Sequence, residues 1–377
     1  MSKTAIILFS GFNMRALLAF IRTLEKNALP YYIIASAKDD PIFNTLYEKK
    51  VIVTREKQAL HLQDITHAIE VLQITVKADN YLIAPSTEAL NRFVLKHRNL
   101  FTQLKCLIPL VEEDLYIQIS DKYSFSMLCS EYNITVPKEY TNPTSSHLPL
   151  VAKPKAYVSK EGEIYAPQII KTIKELEAFL TSHKQDDFYF QEYVNGRSIY
   201  LLYYFDENKN IFKFSQENLI QQENGKSMLL AKSANYHNNK ISSKFEYLFT
   251  SINFRGLVMI ELKLMNDKFY MIEANPRFWG PSQLFVDAKI NLFDNFLVDF
   301  NLIKSVILEV QKQQSTYYYW DDGISENIDN RKNLAFYNYD KEHFNQNKKL
   351  LTQIEIYNRS DIKPEKKGKN ESKNRKA

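Results

Sequence analysis

Two apolar runs, Leu257–Leu264 and Phe269–Glu273, stand on either side of Asn266-Asp267. Asparagine and aspartate are turn formers, so the pattern predicts an antiparallel hairpin. Each run is interrupted by a glutamate, Glu261 and Glu273, twelve residues apart. A hairpin brings two such side chains face to face when both point to the same side. Glu273 and Asn275 are two apart on an extended strand and share that side, and Arg277 follows the same alternation. Acids on a strand are usually solvated charges on an exposed face. Carboxylates set in strongly apolar strands are costly to bury alone, so a metal or a cationic partner is implied. Three oxygen ligands on one surface, with positions left for water and phosphate, suit Mg²⁺ in a nucleotide site. Arg277 could then steady a transferring phosphoryl group.

The chain ahead of this hairpin divides by pattern. Residues 4–9, 31–35, 51–53 and 81–84 read as short buried strands, with helical spacing over 15–26 and 61–73. Alternating strands and helices favour a parallel sheet, so residues 1–115 read as a Rossmann-like α/β unit. The glycine fingerprint of a dinucleotide site is missing, and no NAD is assigned. A short helix is expected over 119–133, beginning at Ser120-Asp121. A surface loop at Pro143–Pro149, a strand to Lys153, a helix over 172–180 and a strand over 188–194 follow. Beyond that the pattern turns strand-rich, with runs at 199–205 and 211–214 before the hairpin.

At 377 residues and 44.3 kDa the chain exceeds one ordinary core, and two or three packed subdomains are expected. The formal charge of +5 is unevenly spread. From Asp361 to Ala377 seven basic residues face three acids, which leaves +1 for residues 1–360. That argues against specific nucleic-acid binding by the folded body, and the tail itself reads as disordered. Two cysteines make no disulfide framework or zinc site and suit a cytoplasmic setting, and no apolar run is long enough to span a membrane.

Glu261 followed by Glu273-Ala-Asn275-Pro-Arg277 resembles the metal-binding signature of the ATP-grasp superfamily, in its carbamoyl-phosphate-synthase-like and biotin-carboxylase-like branch. Other segments match in order. Ser120-Asp121-Lys122 resembles the entry to the family's first ATP-binding helix. Val151-Ala152-Lys153-Pro154 resembles the strand carrying its second ATP lysine. Phe190-Gln191-Glu192-Tyr193-Val194-Asn195-Gly196 resembles the hinge that grips adenine.

The resemblance implies a Rossmann-like pre-ATP-grasp domain (1–115), a lid-like subdomain (116–187), a metal and nucleotide subdomain (188–310), a C-terminal extension (311–360) and the basic tail (361–377). It implies ATP and two Mg²⁺ ions, with Mn²⁺ as a substitute, held by Glu261, Glu273 and Asn275. Lys122 and Lys153 would neutralise phosphate, Gln191, Glu192 and Val194 would hold the base, and Arg277 would act on the phosphorylated intermediate. The implied activity is ADP-forming ligation of a small-molecule carboxylate to an amine. A homo-oligomer is left open. Two departures stand out. The segment after Lys153 has one glycine, Gly162, where the family's phosphate loop is glycine-rich, so Ser159 and Lys160 would have to take its role. Ile199 also replaces the acid that contacts ribose in several relatives. The rival readings are an ATP-binding module without turnover and an interaction protein working through its basic tail. Lys226 and Lys232 read as solvated.

Overall fold

Ala5, Ile7 and Phe9 of strand β1 (Thr4–Phe9) pack into one buried cluster with Ile65, Ile69 and Leu72, while Ile6 and Leu8 join another with Leu17, Ile21 and Leu24. The two-residue period of a strand thus shares β1 between two helix layers. Helix α1 (Met14–Lys26) covers one face and α2 (Leu62–Thr75) the other. The computed structural model, which describes residues 3–222, 227–307, 315–324 and 334–364, places β1 at the centre of a five-stranded parallel sheet. The order is β3 (Val51–Thr54), β2 (Tyr31–Ala35), β1, β4 (Asn80–Ile83), β5 (Cys106–Leu107). Helices α3 (Glu88–Lys96) and α4 (Arg98–Gln103) pack beside α2. This is the expected Rossmann-like unit. Where β1 and β4 diverge, Phe278 N–H donates to the Pro85 carbonyl at 3.0 Å, and Asn13 Nδ2 donates to the carbonyls of Ser86 and Phe278. The buried Phe278 and Trp279 therefore act as core side chains that join this sheet to the rest of the molecule.

The helix expected over 119–133 is α6 (Lys122–Glu131), with Asp121 at its N-cap in extended backbone, and a further helix, α5 (Glu113–Ser120), precedes it. A small antiparallel sheet follows, in the order β6 (Glu139–Tyr140), β9 (Phe188–Glu192), β7 (Leu150–Pro154), β8 (Gln168–Ile170). Helix α7 (Ile173–Ser182) starts at a Thr172–Glu175 capping box and buries Leu176 and Phe179 under this sheet. Because β9 hydrogen-bonds along the whole of β7, from Leu150–Glu192 to Pro154–Phe188, the boundary expected at 187/188 falls inside this sheet.

The large sheet is antiparallel and runs β14 (Lys268–Asn275), β13 (Gly256–Met265), β10 (Arg197–Phe205), β11 (Ile211–Gln222), β12 (Met228–Ala234), β15 (Tyr317–Tyr319), with β16 (Leu334–Phe336) also paired to β11. Helix α8 (Lys240–Ser251) packs Phe245, Leu248 and Phe249 against Ile199, Leu201, Val258 and Ile260 on one face. The other face carries α9 (Gln283–Asp287) and α10 (Leu292–Asp299), which share a core with α1. Strand β11 continues beyond Phe214, where the sequence turns polar, because Ser215, Gln216 and Asn218 find buried partners. Gln216 Nε2 donates to Asn218 Oδ1 at 2.7 Å, and Asn218 Nδ2 donates to Ser198 Oγ at 2.9 Å.

After α11 (Lys341–Ile354) the chain returns to the N-terminal unit. Residues 361–364, expected to belong to a disordered tail, are part of the fold. Arg22 Nε donates to Asp361 Oδ2 at 2.8 Å, Tyr47 also donates to Asp361, and Ile362 is buried beside Thr45. Lys226, most of 311–316, 325–333 and the rest of the tail from 365 lie outside the described residues. Lys232 is paired with Glu217 at 3.2 Å rather than solvated alone. Among the described residues no helix is long and apolar enough to cross a membrane.

Candidate active site

The hairpin turn forms because Asn266 and Asp267 both accept positive φ, 49° and 58°, in the tight link between β13 and β14. The strands pair from Met265–Lys268 to Met259–Asn275, with a bulge that sets Ile272 between the Leu262–Met271 and Glu261–Glu273 pairs. Glu261 and Glu273 are direct cross-strand partners. Asn275 Nδ2 donates to Glu273 Oε1 at 2.8 Å, and Arg277 donates to Asn275 Oδ1 at 2.9 Å. The four residues named from strand periodicity thus form one chain of contacts.

Two lysines approach from other elements. Lys122 opens α6 and is ion-paired with Glu273 Oε2. Lys153 lies within β7, buried, and its Nζ donates to the Ile272 carbonyl at 3.1 Å, which the bulge leaves for it. Lys122, Lys153, Glu261 and Glu273 line one cavity of about 440 Å³, which Glu192, Tyr193 and Val194 close at another side. Val151, Ile169 and Ile272 give that cavity an apolar wall suited to a flat ring.

The charges in this cavity bias one another. Burial and the nearby charge of Glu273 push the Glu261 carboxyl up to about 7. Burial opposes ionisation of Glu273 as well, yet Lys122 and the Asn275 hydrogen bond hold it down to about 2. Burial works against the Lys122 ammonium, but Glu273 raises its pKa above the usual lysine value. Lys153, buried and near Lys122, falls to about 8. Two carboxylates line the cavity and the Asn275 carboxamide meets Glu273 from beside it, whereas no cluster of three or more His, Cys, Asp or Glu exists among the described residues.

Other expected residues stand elsewhere. Gln191 faces away from the cavity, because neighbours on a strand point to opposite sides. Its Nε2 donates to Ser126 Oγ at 3.2 Å and to the Pro137 carbonyl, which fixes β9 to α6. Ser159 and Lys160 are also outside the cavity. Ser159 Oγ accepts from the N–H of Glu161 and of Glu163, so the turn closes on itself, and Lys160 faces a separate surface hollow with Lys184 and Asp186. Arg277 lies behind Asn275, donating also to the Phe278 carbonyl at 3.1 Å. Sequence reasoning missed Lys263, Ala335 and Tyr337, which line the cavity. Lys263 was within reach of the same period-two argument that joined Glu273 to Asn275.

Residues 119–281 match the family described as the ATP-grasp domain. The fold is accordingly an ATP-grasp fold preceded by a Rossmann-like domain. Among solved structures the chain is similar to the biotin carboxylase domain dimer of Hydrogenobacter thermophilus 2-oxoglutarate carboxylase in complex with MgADP, ADP and bicarbonate, at 11% identity and TM-score 0.62, over 84% of this chain and 74% of that one. It is similar to N5-carboxyaminoimidazole synthetase from Staphylococcus aureus at 14% identity and TM-score 0.62, over 87% of this chain and 85% of that one. Against Rhizobium etli pyruvate carboxylase, at 14% identity and TM-score 0.61, the match covers 80% of this chain but 28% of that much longer one. No curated protein sequence matches the chain.

Proposed function

We propose that the cavity binds Mg-ATP and that the protein is an ADP-forming ligase joining a small-molecule carboxylate to an amine through an acyl phosphate. The observation that carries this reading is the facing pair Glu261–Glu273 in one cavity with Lys122 and Lys153, closed at another side by the 192–194 strand end. The donor set fits Mg²⁺, with Mn²⁺ as a substitute: two carboxylates and one amide oxygen are hard ligands, and a divalent cation offsets both the burial and the repulsion from Glu273 that lift Glu261. Glu261, Glu273 and Asn275 would hold it, the last through the oxygen now bonded to Arg277. When bound, such a cation neutralises charge on the phosphates.

The chain's own groups supply the rest. Lys122 and Lys153 would bind phosphate oxygens, while Glu192 and the Val194 backbone would fix the base. In-line attack by the substrate carboxylate on the γ-phosphate gives the acyl phosphate and ADP, and the amine then displaces phosphate. Positioning and charge stabilisation carry such transfers, with Arg277 set to stabilise the phosphorylated carboxylate. The buried thiols Cys106 and Cys129 suit a reducing cytoplasm. One similar structure is a complex with MgADP, ADP and bicarbonate, and another is named a carboxyaminoimidazole synthetase, which supports the reaction class.

A second reading, a nucleotide-binding module without turnover, is favoured by the phosphate-loop segment, whose Ser159 turn is closed on itself. Thermal stability with ATP, with Mg²⁺ and with both tests the site. Ligand at a hundred times its Kd adds about 2.7 kcal/mol. A shift that needs both and is lost in Glu273→Ala supports the site, and no shift with either protein sinks it. Trapping an acyl phosphate with hydroxylamine across a carboxylate panel then separates a ligase from a silent binder.

A further inference from the structure

Lys122 stands at the first position of α6, where an ammonium faces the positive end of the helix dipole. That placement serves the cavity rather than the helix. Asp121 holds the N-cap position just before it, where an aspartate ordinarily accepts from first-turn N–H groups and stabilises the helix. Its side chain makes no cap hydrogen bond. The carboxylate is turned instead to Arg92 on α3, with which it is ion-paired, the two side chains being 11% and 16% exposed. A stabilising cap is thus given up for a contact with the N-terminal unit.

Arg92 lies outside the family match and is itself fixed from several sides. Its Nε donates to Glu88 Oε1 at 3.1 Å, one turn back on α3. Its Nη2 donates to Ser120 Oγ at 2.6 Å as well as to Asp121. The Tyr157 ring, from the loop after β7, covers the guanidinium, with 4.6 Å between its centre and Cζ. A planar fork with one face covered holds a carboxylate in one orientation. Beside it on α3, buried Asn91 donates to the Pro276 carbonyl at 3.4 Å, just past the end of β14. One helix therefore sets both the start of α6 and the end of β14, and so places Lys122 relative to Glu273.

We propose that Arg92 is a positioning residue for nucleotide binding: by holding Asp121 away from the helix cap it fixes the start of α6 and presents the Lys122 ammonium to the phosphates. The inference rests on the nucleotide-binding reading above. In the free protein Lys122 has Glu273 as its partner. Once Glu273 serves a cation that restraint is gone, and the tie between Arg92 and Asp121 is what keeps Lys122 at the cavity.

Calorimetric titration of the full chain with Mg-ATP tests it, in a double-mutant cycle of Arg92→Met and Lys122→Met. Loss of a charged hydrogen bond weakens affinity about tenfold or more. Arg92→Met is expected to bind Mg-ATP about tenfold more weakly than wild type. Arg92→Lys, which keeps the charge but not the fork, should lie between the two. With Lys122→Met already present, adding Arg92→Met should change affinity by less than about twofold. Asp121→Ser guards against a misfolded Arg92 variant, because serine caps a helix well but brings no carboxylate to Arg92. It should reproduce the affinity loss of Arg92→Met while melting no lower than that variant. An equal loss on adding Arg92→Met in both backgrounds means that Arg92 supports the fold in general, and it overturns the inference. Unchanged affinity in Arg92→Met or in Asp121→Ser overturns it too, and leaves the nucleotide site standing. Absence of Mg-ATP binding by wild type removes the nucleotide reading and this inference together.

Discussion

Lys122 on the first turn of α6 is ion-paired with Glu273 on β14, so the group expected to meet phosphate and the group expected to hold a cation are held to each other in the free protein. Ligand must therefore reorganise this pair. The side chains are 22% and 23% exposed, which places the pair between a surface bridge and a fully buried one. Lys122→Met is expected to lower unfolding free energy by about 1–3 kcal/mol, because it leaves a partly buried carboxylate alone. Adding Glu273→Gln should restore part of that loss. Urea denaturation of the two single variants and the double variant measures the coupling, and additive effects would mean the pair contributes nothing.

Arg277 is placed to affect chemistry more than affinity. It lies behind Asn275 rather than on the cavity wall, and two of its nitrogens already serve Asn275 Oδ1 and the Phe278 carbonyl. Arg277→Lys keeps the charge but loses the planar fork. The expected result is a fall of about 10²-fold in phosphate release once a carboxylate substrate is found, with ATP affinity within about threefold. A parallel loss of ATP affinity would assign Arg277 to ground-state binding instead.

The glutamate pair and Asn275 were legible because strand geometry is periodic and local. Once Asn266-Asp267 marks the turn, the facing of Glu261 and Glu273 follows from counting residues. Lys122 needed the family pattern, since nothing local tells a lysine at a helix start from a solvated one; Lys153 interrupts the apolar strand β7, which signals a buried charge but not what it meets. Gln191 shows the limit of a strand motif: the run 190–194 was found, but which alternate residues face the ligand depends on the sheet it joins. Tyr337 carried no local signal. Its role arises from pairing of β16 with β11, across more than a hundred residues of chain, and from a three-residue strand too short for periodicity to show.

Gln191 and Glu192 offer a direct contrast between packing and binding. Gln191 Nε2 bonds Ser126 and Pro137 in a buried setting, and Glu192 lines the cavity. Gln191→Ala should cost about 1–2 kcal/mol of stability, from unpaired buried groups, with ATP affinity unchanged within twofold. Glu192→Ala should do the reverse, with a small change in melting temperature and a clear loss of ATP affinity by titration. If Gln191→Ala alone weakens ATP, the facing of this strand described above is mistaken.

Glu355 sets a pH dependence that has nothing to do with the cavity. It is buried after α11, accepting from the N–H of Tyr357 at 2.6 Å and of Asp321 at 3.4 Å. Burial, aided by the charges of Asp322 and Asp321, pushes its carboxyl up to about 7 from 4.5. A raised acid binds its proton more tightly in the folded state, so stability falls as pH rises from about 4.5 and the full penalty is present above about 7. That penalty is at most about 3 kcal/mol. Glu355→Gln removes the ionisation while keeping an acceptor, so it should be more stable than wild type at pH 8 and close to it at pH 4.5. Denaturant midpoints across that range would show the two curves converging towards acid. A constant offset would mean that Glu355 acts through packing alone and not through its proton.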